Sequence, residues 1–237
     1  MTLKDFYRFD SRNYLTTFYA KAEIIVEALK RKDSDFAWKM DYDLEYGNYQ
    51  DYEFPIVFRE VVGDSGKQMR DVLDHRNIMA YLISDRMRDL LIDNNITGWK
   101  CYEIEMYDKK GNIVPGYNGF SVTGRCNDMV KIDYENIIKD NKRDYYVAKG
   151  ATFDIEKWDG SDIFKAGGWR IITKKVYELF KKHKITAIEM TRLTDYTCWL
   201  GYTKEQAIEI SIRKIEKQNK SLEELKAEAQ SNKRAMQ

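Results

Sequence analysis

The chain is nearly free of proline, with two residues in 237, and no Pro- or Ser-rich stretch divides it. A continuous globular body is therefore expected rather than domains strung on linkers. Cysteine is scarce and odd in number: Cys101, Cys126 and Cys198 lie far apart. That argues against a disulfide framework and for a reducing compartment. No apolar run approaches the roughly 20 residues that span a bilayer as a helix. The opening MTLKDFYRFD has no apolar core of the signal-peptide kind. Charge of one sign is missing too: the net charge is +1 and the pI about 7.6, so the basic footprint of a nucleic-acid binder is not there. The expectation is a cytoplasmic protein with no membrane and no nucleic-acid partner. Its oligomeric state is not legible. What the chain does have is rings and charge. Charged residues make up 33%, hydrophobic residues 43% and aromatic residues 14%, with 17 Tyr, enough apolar area for a core.

The chain uses one segment twice. LISDRMRDLLIDNNITGWKC (82–101) aligns without gaps on IITKKVYELFKKHKITAIEM (171–190), and four of the twenty aligned residues are identical. Such self-similarity constrains the whole architecture. In the first copy Ile78, Met79, Tyr81, Leu82 and Ile83 predict a buried strand. Ser84 predicts a helix N-cap, worth about 1 kcal/mol, and Asp85 suits the positive end of the helix dipole. Met87, Leu90, Leu91 and Asn94 make one helical stripe, and Asn94-Asn95 a stop. Trp99, Cys101, Ile104 and Met106 predict the returning strand. In the second copy Trp169, Ile171 and Ile172 make the strand, Thr173 the cap, and Val176, Leu179, Phe180 and His183 the stripe. Ile185, Ala187, Ile188 and Met190 return. Each copy reads as a strand–helix–strand unit; were its two strands adjacent and parallel, the crossover would be right-handed.

The expected fold class is α+β: a mixed sheet carrying two similar strand–helix–strand units, an N-terminal helix and hairpin, and C-terminal helices. Residues 1–200 are expected to form one body, with the helix and hairpin in 1–60 and the repeated units at 78–106 and 169–190. Residues 201–237 are expected to be C-terminal helices. Residues 16–32 predict a helix with Phe18, Ala22, Ile25 and Leu29 as its stripe. Residues 40–46 alternate, with Tyr42, Leu44 and Tyr46 on one side and Asp41, Asp43 and Glu45 on the other. That predicts a half-buried strand, turned at Gly47-Asn48 into a second strand through Tyr52, Phe54, Ile56 and Phe58, with Pro55 best placed at an edge. Two capping-box patterns, Thr203…Gln206 and Ser221…Glu224, predict helices at about 204–218 and 222–232. The first would present Ala207, Ile208, Ile212 and Ile215 as its apolar face.

Motifs that carry chemistry are few. CxxC, HExxH and EF-hand spacings are absent, so no metal is expected, and no cofactor. Gly63-Asp64-Ser65-Gly66-Lys67 has too few residues between its glycines for a phosphate loop and lacks the hydroxyl residue after its lysine. His75 beside Asp74 could serve as a general base, though no Ser or Cys nucleophile accompanies it and a solvated turn reads more simply. The chain is therefore read as no enzyme. An uncharacterised enzyme with a His75/Asp74 site and a plain protein-interaction module stand as alternatives. Between Met40 and Phe58 there is no Lys or Arg; acids alternate with tyrosines instead. Asp41, Tyr42, Asp43, Glu45, Tyr46, Tyr49, Asp51, Tyr52 and Glu53 are the candidate partner-binding residues. Tyr is favoured at hot spots, and negative charge suits a basic partner.

Asp162-Ile163-Phe164-Lys165 leading into GGWRIITKKVYELFKKHKITAIEMTRL resembles the C-terminal signature of the bacterial immunity-protein family numbered eleven in the polymorphic-toxin classification. That family was formerly catalogued as a domain of unknown function. Residues 78–104, with Ile96-Thr97-Gly98, resemble the matching earlier element, and the likeness covers about residues 60–195. Ala187 stands where the family often has Gly. The resemblance implies a cytoplasmic protein made beside a secreted toxin, which it binds and neutralises by stoichiometric sequestration. It carries no catalytic residues over.

Overall fold

The computed structural model describes residues 1–12, 15–63, 65–74, 81–140 and 142–220. The fold is α+β. Its strands are β1 (Phe6–Ser11), β2 (Ala20–Ala22), β3 (Ile56–Glu60), β4 (Val72–Asp74), β5 (Tyr81–Ser84), β6 (Trp99–Tyr102), β7 (Ile104–Tyr107), β8 (Tyr117–Val122), β9 (Gly124–Cys126), β10 (Lys131–Ile132), β11 (Ile137–Asp140), β12 (Tyr145–Lys149), β13 (Ala151–Thr152), β14 (Ile163–Ala166), β15 (Trp169–Thr173), β16 (Ile188–Arg192) and β17 (Thr197–Gly201). Its helices are α1 (Glu23–Lys30), α2 (Ser34–Tyr46), α3 (Asp85–Asp93), α4 (Lys174–Lys182) and α5 (Lys204–Asn219).

Two compact units emerge, and the division differs from the one expected near residue 200. The first comprises residues 1–129 and 154–192; the second, residues 130–153 and those from Leu193 on. The reason is long-range pairing: β12 bonds to β17, which ties residues 130–153 to the late part of the chain.

In the second unit, β11, β12 and β17 form an antiparallel sheet. Tyr134, Ala148, Leu200 and Ala207 make its core. The capping box at Thr203 and Gln206 starts α5 as expected. The buried face of α5 is different: Ala207 and Ser211 are buried, whereas Ile208 and Ile212 are exposed. The expected helix at 222–232 lies outside the described residues.

The first unit contains both copies of the repeated segment. Ser84 Oγ accepts the Met87 N–H at the start of α3, and α3 and α4 each run nine residues. The two strands of each copy are parallel but not adjacent. In the sheet β4-β5-β8-β6, β8 lies antiparallel between β5 and β6. In the sheet β16-β1-β15-β14-β9, β1 lies antiparallel between β15 and β16. The returning strand of the first copy is also divided: β6 stays with β8, while β7 pairs with β3.

The copies share one core. Ile83, Met87, Leu91 and Ile96 pack in the same cluster as Ile172, Val176, Phe180 and Ile185, their partners in the ungapped alignment. The segment before each copy also clasps the other copy. The Asp71 backbone N–H donates to Thr186 Oγ1 at 2.9 Å, and the Thr186 N–H and hydroxyl both reach Asp71 Oδ2 at 2.8 Å. Reciprocally, the Asp162 N–H donates to Thr97 Oγ1 at 3.0 Å, and the Thr97 N–H reaches Asp162 Oδ2 at 3.1 Å. A cation in the first turn of each helix closes the clasp. Arg86 Nη2 lies 2.5 Å from Asp71 and Lys175 Nζ lies 3.0 Å from Asp162. The Ile-Thr shared by both copies thus serves a structural hydrogen bond. Backbone conformation repeats too: Asn95 and Lys184 have φ +49° and +52°, and Gly98 and Ala187 +85° and +60°. A Cβ on Gly98 would meet the Ile163 carbonyl oxygen at 2.0 Å, so only glycine fits there. Ala187 occupies the matching place with the same left-handed backbone.

The N-terminal region departs from expectation. Residues 16–32 hold β2 and the shorter helix α1, on which Ile25 and Ala28 are buried while Leu29 is half exposed. The strand and hairpin expected over 40–59 are not formed, since residues 34–46 are the helix α2. Asp33 caps α2 by accepting the Phe36 N–H at 3.1 Å, and Gly47 ends it at φ +80°. Only the later part of the hairpin is a strand, β3, with Ile56 and Phe58 buried.

Candidate functional site

The alternation over 40–46 is a by-product of helical spacing. Ala37, Met40, Asp41, Leu44 and Glu45 are buried, the i, i+3, i+4, i+7, i+8 stripe of a helix. Two carboxylates sit on that stripe, which is what disguised it. Asp41, Asp43 and Glu45 are therefore not on a water-facing side: their exposures are 2%, 8% and 1%.

Glu45 is a buried ionic plug. Its Oε1 lies 2.7 Å from Lys165 Nζ and 2.5 Å from Arg170 Nη2. Lys165 and Arg170 face each other across β14 and β15. Arg170 also donates to the Tyr81 hydroxyl at 2.9 Å, with its guanidinium 4.0 Å from that ring's centre. Burial, with Arg170 close by, lowers the basicity of the Lys165 amine despite Glu45. Such a cluster fixes one geometry, and removing one member leaves an unpaired buried charge.

Asp43 has its own partners. Lys39 Nζ and the Tyr52 hydroxyl each donate to its Oδ2 at 2.6 Å. Burial alone would raise this carboxyl, but those bonds outweigh it and hold it below the usual range. Burial pushes the phenols of Tyr49 and Tyr52 up to about 12. The Tyr49 ring packs edge-on to Phe54 and Tyr102, and its hydroxyl meets Ser121 Oγ at 2.5 Å. Tyr49 and Tyr52 thus belong mainly to the packing beneath α2.

The opposite side of α2 is where the molecule faces outward. Trp38, Tyr42 and Tyr46 recur every four residues, and Trp38 and Tyr42 are 57% and 46% exposed. Tyr42 stacks on Tyr46, with ring centres 4.1 Å apart and planes 17° from parallel. The guanidinium of Arg125 caps the inner end of this stack, 4.5 Å from the Tyr46 ring centre. Arg125 is held there by the carbonyls of Gly124 at 2.8 Å and Tyr46 at 3.0 Å. The Tyr46 hydroxyl donates to the Gly167 carbonyl at 3.5 Å, and Met129, 63% exposed, lies beside Gly167. Of the residues expected in a partner-binding surface, Tyr42, Asp51 and Glu53 are exposed and Tyr46 is half-buried. Trp38, Arg125 and Met129 were not anticipated. The signal for Trp38 was its four-residue spacing from Tyr42 and Tyr46 after a capping Asp33. Nothing local in the sequence marks Arg125 or Met129.

His75 lies outside the described residues, and Asp74 is placed only as the end of β4. Among the described residues, no group of three or more His, Cys, Asp or Glu side chains could hold a metal ion, and no helix is long and apolar enough to cross a membrane. A groove of about 620 Å³ runs between α1 and the end of β3, floored by Ile25, Val26, Leu29 and Val61. No protein-family model matches the chain, and no curated protein matches it.

Proposed function

We propose that this protein is a bacterial immunity protein that binds a cognate secreted toxin in the cytoplasm and neutralises it by stoichiometric sequestration. The outward face of α2 is its partner surface. The observation that carries the reading is the pair Trp38 and Tyr42: two large rings left in water on a helix anchored through Glu45. Large aromatic side chains on a rigid base are the usual anchors of tight interfaces. A ring already stacked and a helix already pinned lose little conformational freedom on binding, so more of the contact energy appears as affinity. The sequence resemblance over residues 60–195 supports the same reading. The exposed Asp51 and Glu53 lie at the edge of the segment and suit a basic partner.

The test is genetic and then biochemical. The toxin is sought as the variable C-terminal domain of a large secreted protein encoded beside this chain. Co-expression with that domain should restore growth with the wild-type chain and fail to do so with Trp38→Ala/Tyr42→Ala at equal protein level. Protection undiminished by the double variant would remove α2 from the interface.

A further inference from the structure

We infer that the partner places an arginine side chain on the outer end of the α2 ring stack, in the role that Arg125 plays at the inner end. This rests on the reading of α2 as the partner surface and adds the chemistry of what meets it. Three observations carry it. First, among the described residues the cations on this stack lie at its inner end: Arg125 is 4.5 Å and Lys165 5.3 Å from the Tyr46 ring centre, Tyr46 lies on Tyr42, and beyond Tyr42 the helix presents the half-exposed Trp38. Second, the charge around the outer rings is negative. Asp35 is exposed one turn before Trp38 and Lys39. Lys39, the one base between Ser34 and Phe54, is held by Asp43 at 2.6 Å and Asp51 at 3.2 Å. Its ammonium sits 5.5 Å from the Tyr52 ring centre, so it is drawn toward Tyr52. Two carboxylates thus hold one ammonium, and Asp35 stands one helical turn before it. The other nearby bases, Arg31 and Lys32, precede the cap at Asp33. Third, the unit uses the same contact repeatedly: Arg8 lies 4.6 Å from the Trp169 ring centre and Arg59 lies 5.0 Å from that of Tyr107.

A cation over an aromatic face is attracted by the ring quadrupole. Arginine is favoured over lysine because its planar, weakly hydrated guanidinium stacks as a ring does. A neutral apolar side chain would gain nothing from Asp35, Asp43 and Asp51.

The full chain can be examined by NMR at the Trp38 indole N–H, assigned with Trp38→Phe. The probes are N-acetyl-arginine amide, N-acetyl-lysine amide and N-acetyl-citrulline amide, citrulline being the neutral shape-mimic of arginine. Arginine amide should move the Trp38 signal with an affinity about threefold above that of citrulline amide. Lysine amide should fall between them, and Tyr42→Leu should abolish the difference. Equal shifts from arginine and citrulline, equal shifts from arginine and lysine, no shift at all, or an arginine preference that survives Tyr42→Leu would each overturn the inference. No toxin is needed for this experiment. A chain that prefers arginine amide but protects no cell would overturn the immunity reading and leave the stack's preference standing. A chain that protects through α2 without that preference would do the reverse.

Discussion

In the first copy of the repeated unit, the strand between β5 and β6 is β8, which follows the copy in sequence. In the second, the equivalent place between β15 and β16 is filled by β1, from near the start of the chain. The frames agree in helix length, shared core, left-handed residues and clasp. The locks differ. Arg86 meets Asp71 with two nitrogens and also donates to the His183 carbonyl at 2.9 Å. Its counterpart Lys175 brings a single ammonium to Asp162 at 3.0 Å and to the Asn95 carbonyl at 3.4 Å. Tyr81 in the first copy is matched by Arg170 in the second, and the two side chains bond to each other. A repeated sequence therefore sets geometry, while the residues that vary between copies determine how firmly each half is held and where α2 can attach. Glu45 attaches at the second copy, to Arg170 on its β15 and to Lys165 on the neighbouring β14.

The largest effect should come from breaking that attachment. Glu45→Ala leaves two buried cations without their counter-ion and should destabilise the chain by about 3–5 kcal/mol in chemical denaturation. A cost near zero would mean that α2 is not anchored there.

The two clasps should rank next. Asp71→Asn removes the better-bonded carboxylate and should cost about 2–3 kcal/mol, against about 1 kcal/mol for Asp162→Asn. Equal costs would erase the asymmetry between the copies. The Asp71 difference should also depend on pH. Burial would raise this carboxyl, but the bonds from Arg86, Thr186 and Ser84 outweigh it and hold it below the ordinary range. A depressed carboxylate contributes its full stability above the unfolded-state value and loses it as pH falls through the folded one. The gap between wild type and Asp71→Asn should therefore be widest above about pH 5 and shrink toward about pH 2. A gap that widens on acidification would contradict the assigned bonding.

Smaller still is the difference between the caps. Both hydroxyls donate to a clasp carboxylate, Ser84 to Asp71 at 2.8 Å and Thr173 to Asp162 at 3.3 Å, but of the two only Ser84 also accepts a cap N–H, that of Met87. Ser84→Ala should cost about 1 kcal/mol through its cap, more than Thr173→Ala in the same thermal or denaturant assay.

These contrasts explain what could be read in advance. The strand–helix–strand units, the α+β class, the Ser84 cap and the Thr203 capping box are local patterns, and the sequence states them directly. The adjacency of the paired strands was not legible, because β8 and β1 enter from distant positions. The helix at 34–46 was hidden by its own function in the fold. Asp41 and Glu45 occupy apolar-stripe positions, and the compensating Lys165 and Arg170 lie more than a hundred residues away. The tyrosines of the candidate surface were found, but the acids beside them were assigned to water. Once α2 is a helix, the exposed pair becomes Trp38 and Tyr42 rather than Asp41, Asp43 and Glu45.

The most direct measurement is calorimetric titration of the purified toxin domain into the wild-type chain and into Trp38→Ala/Tyr42→Ala. The two rings lie outside the core, so the double variant should stay folded while losing about 1 kcal/mol with the Tyr42–Tyr46 stack. Wild type should bind one to one, and the double variant should lose about 3 kcal/mol or more of binding energy, a weakening of over a hundredfold. Unchanged affinity in a folded double variant, or no binding by the wild-type chain, would contradict the assignment of α2 as the surface that covers a toxin.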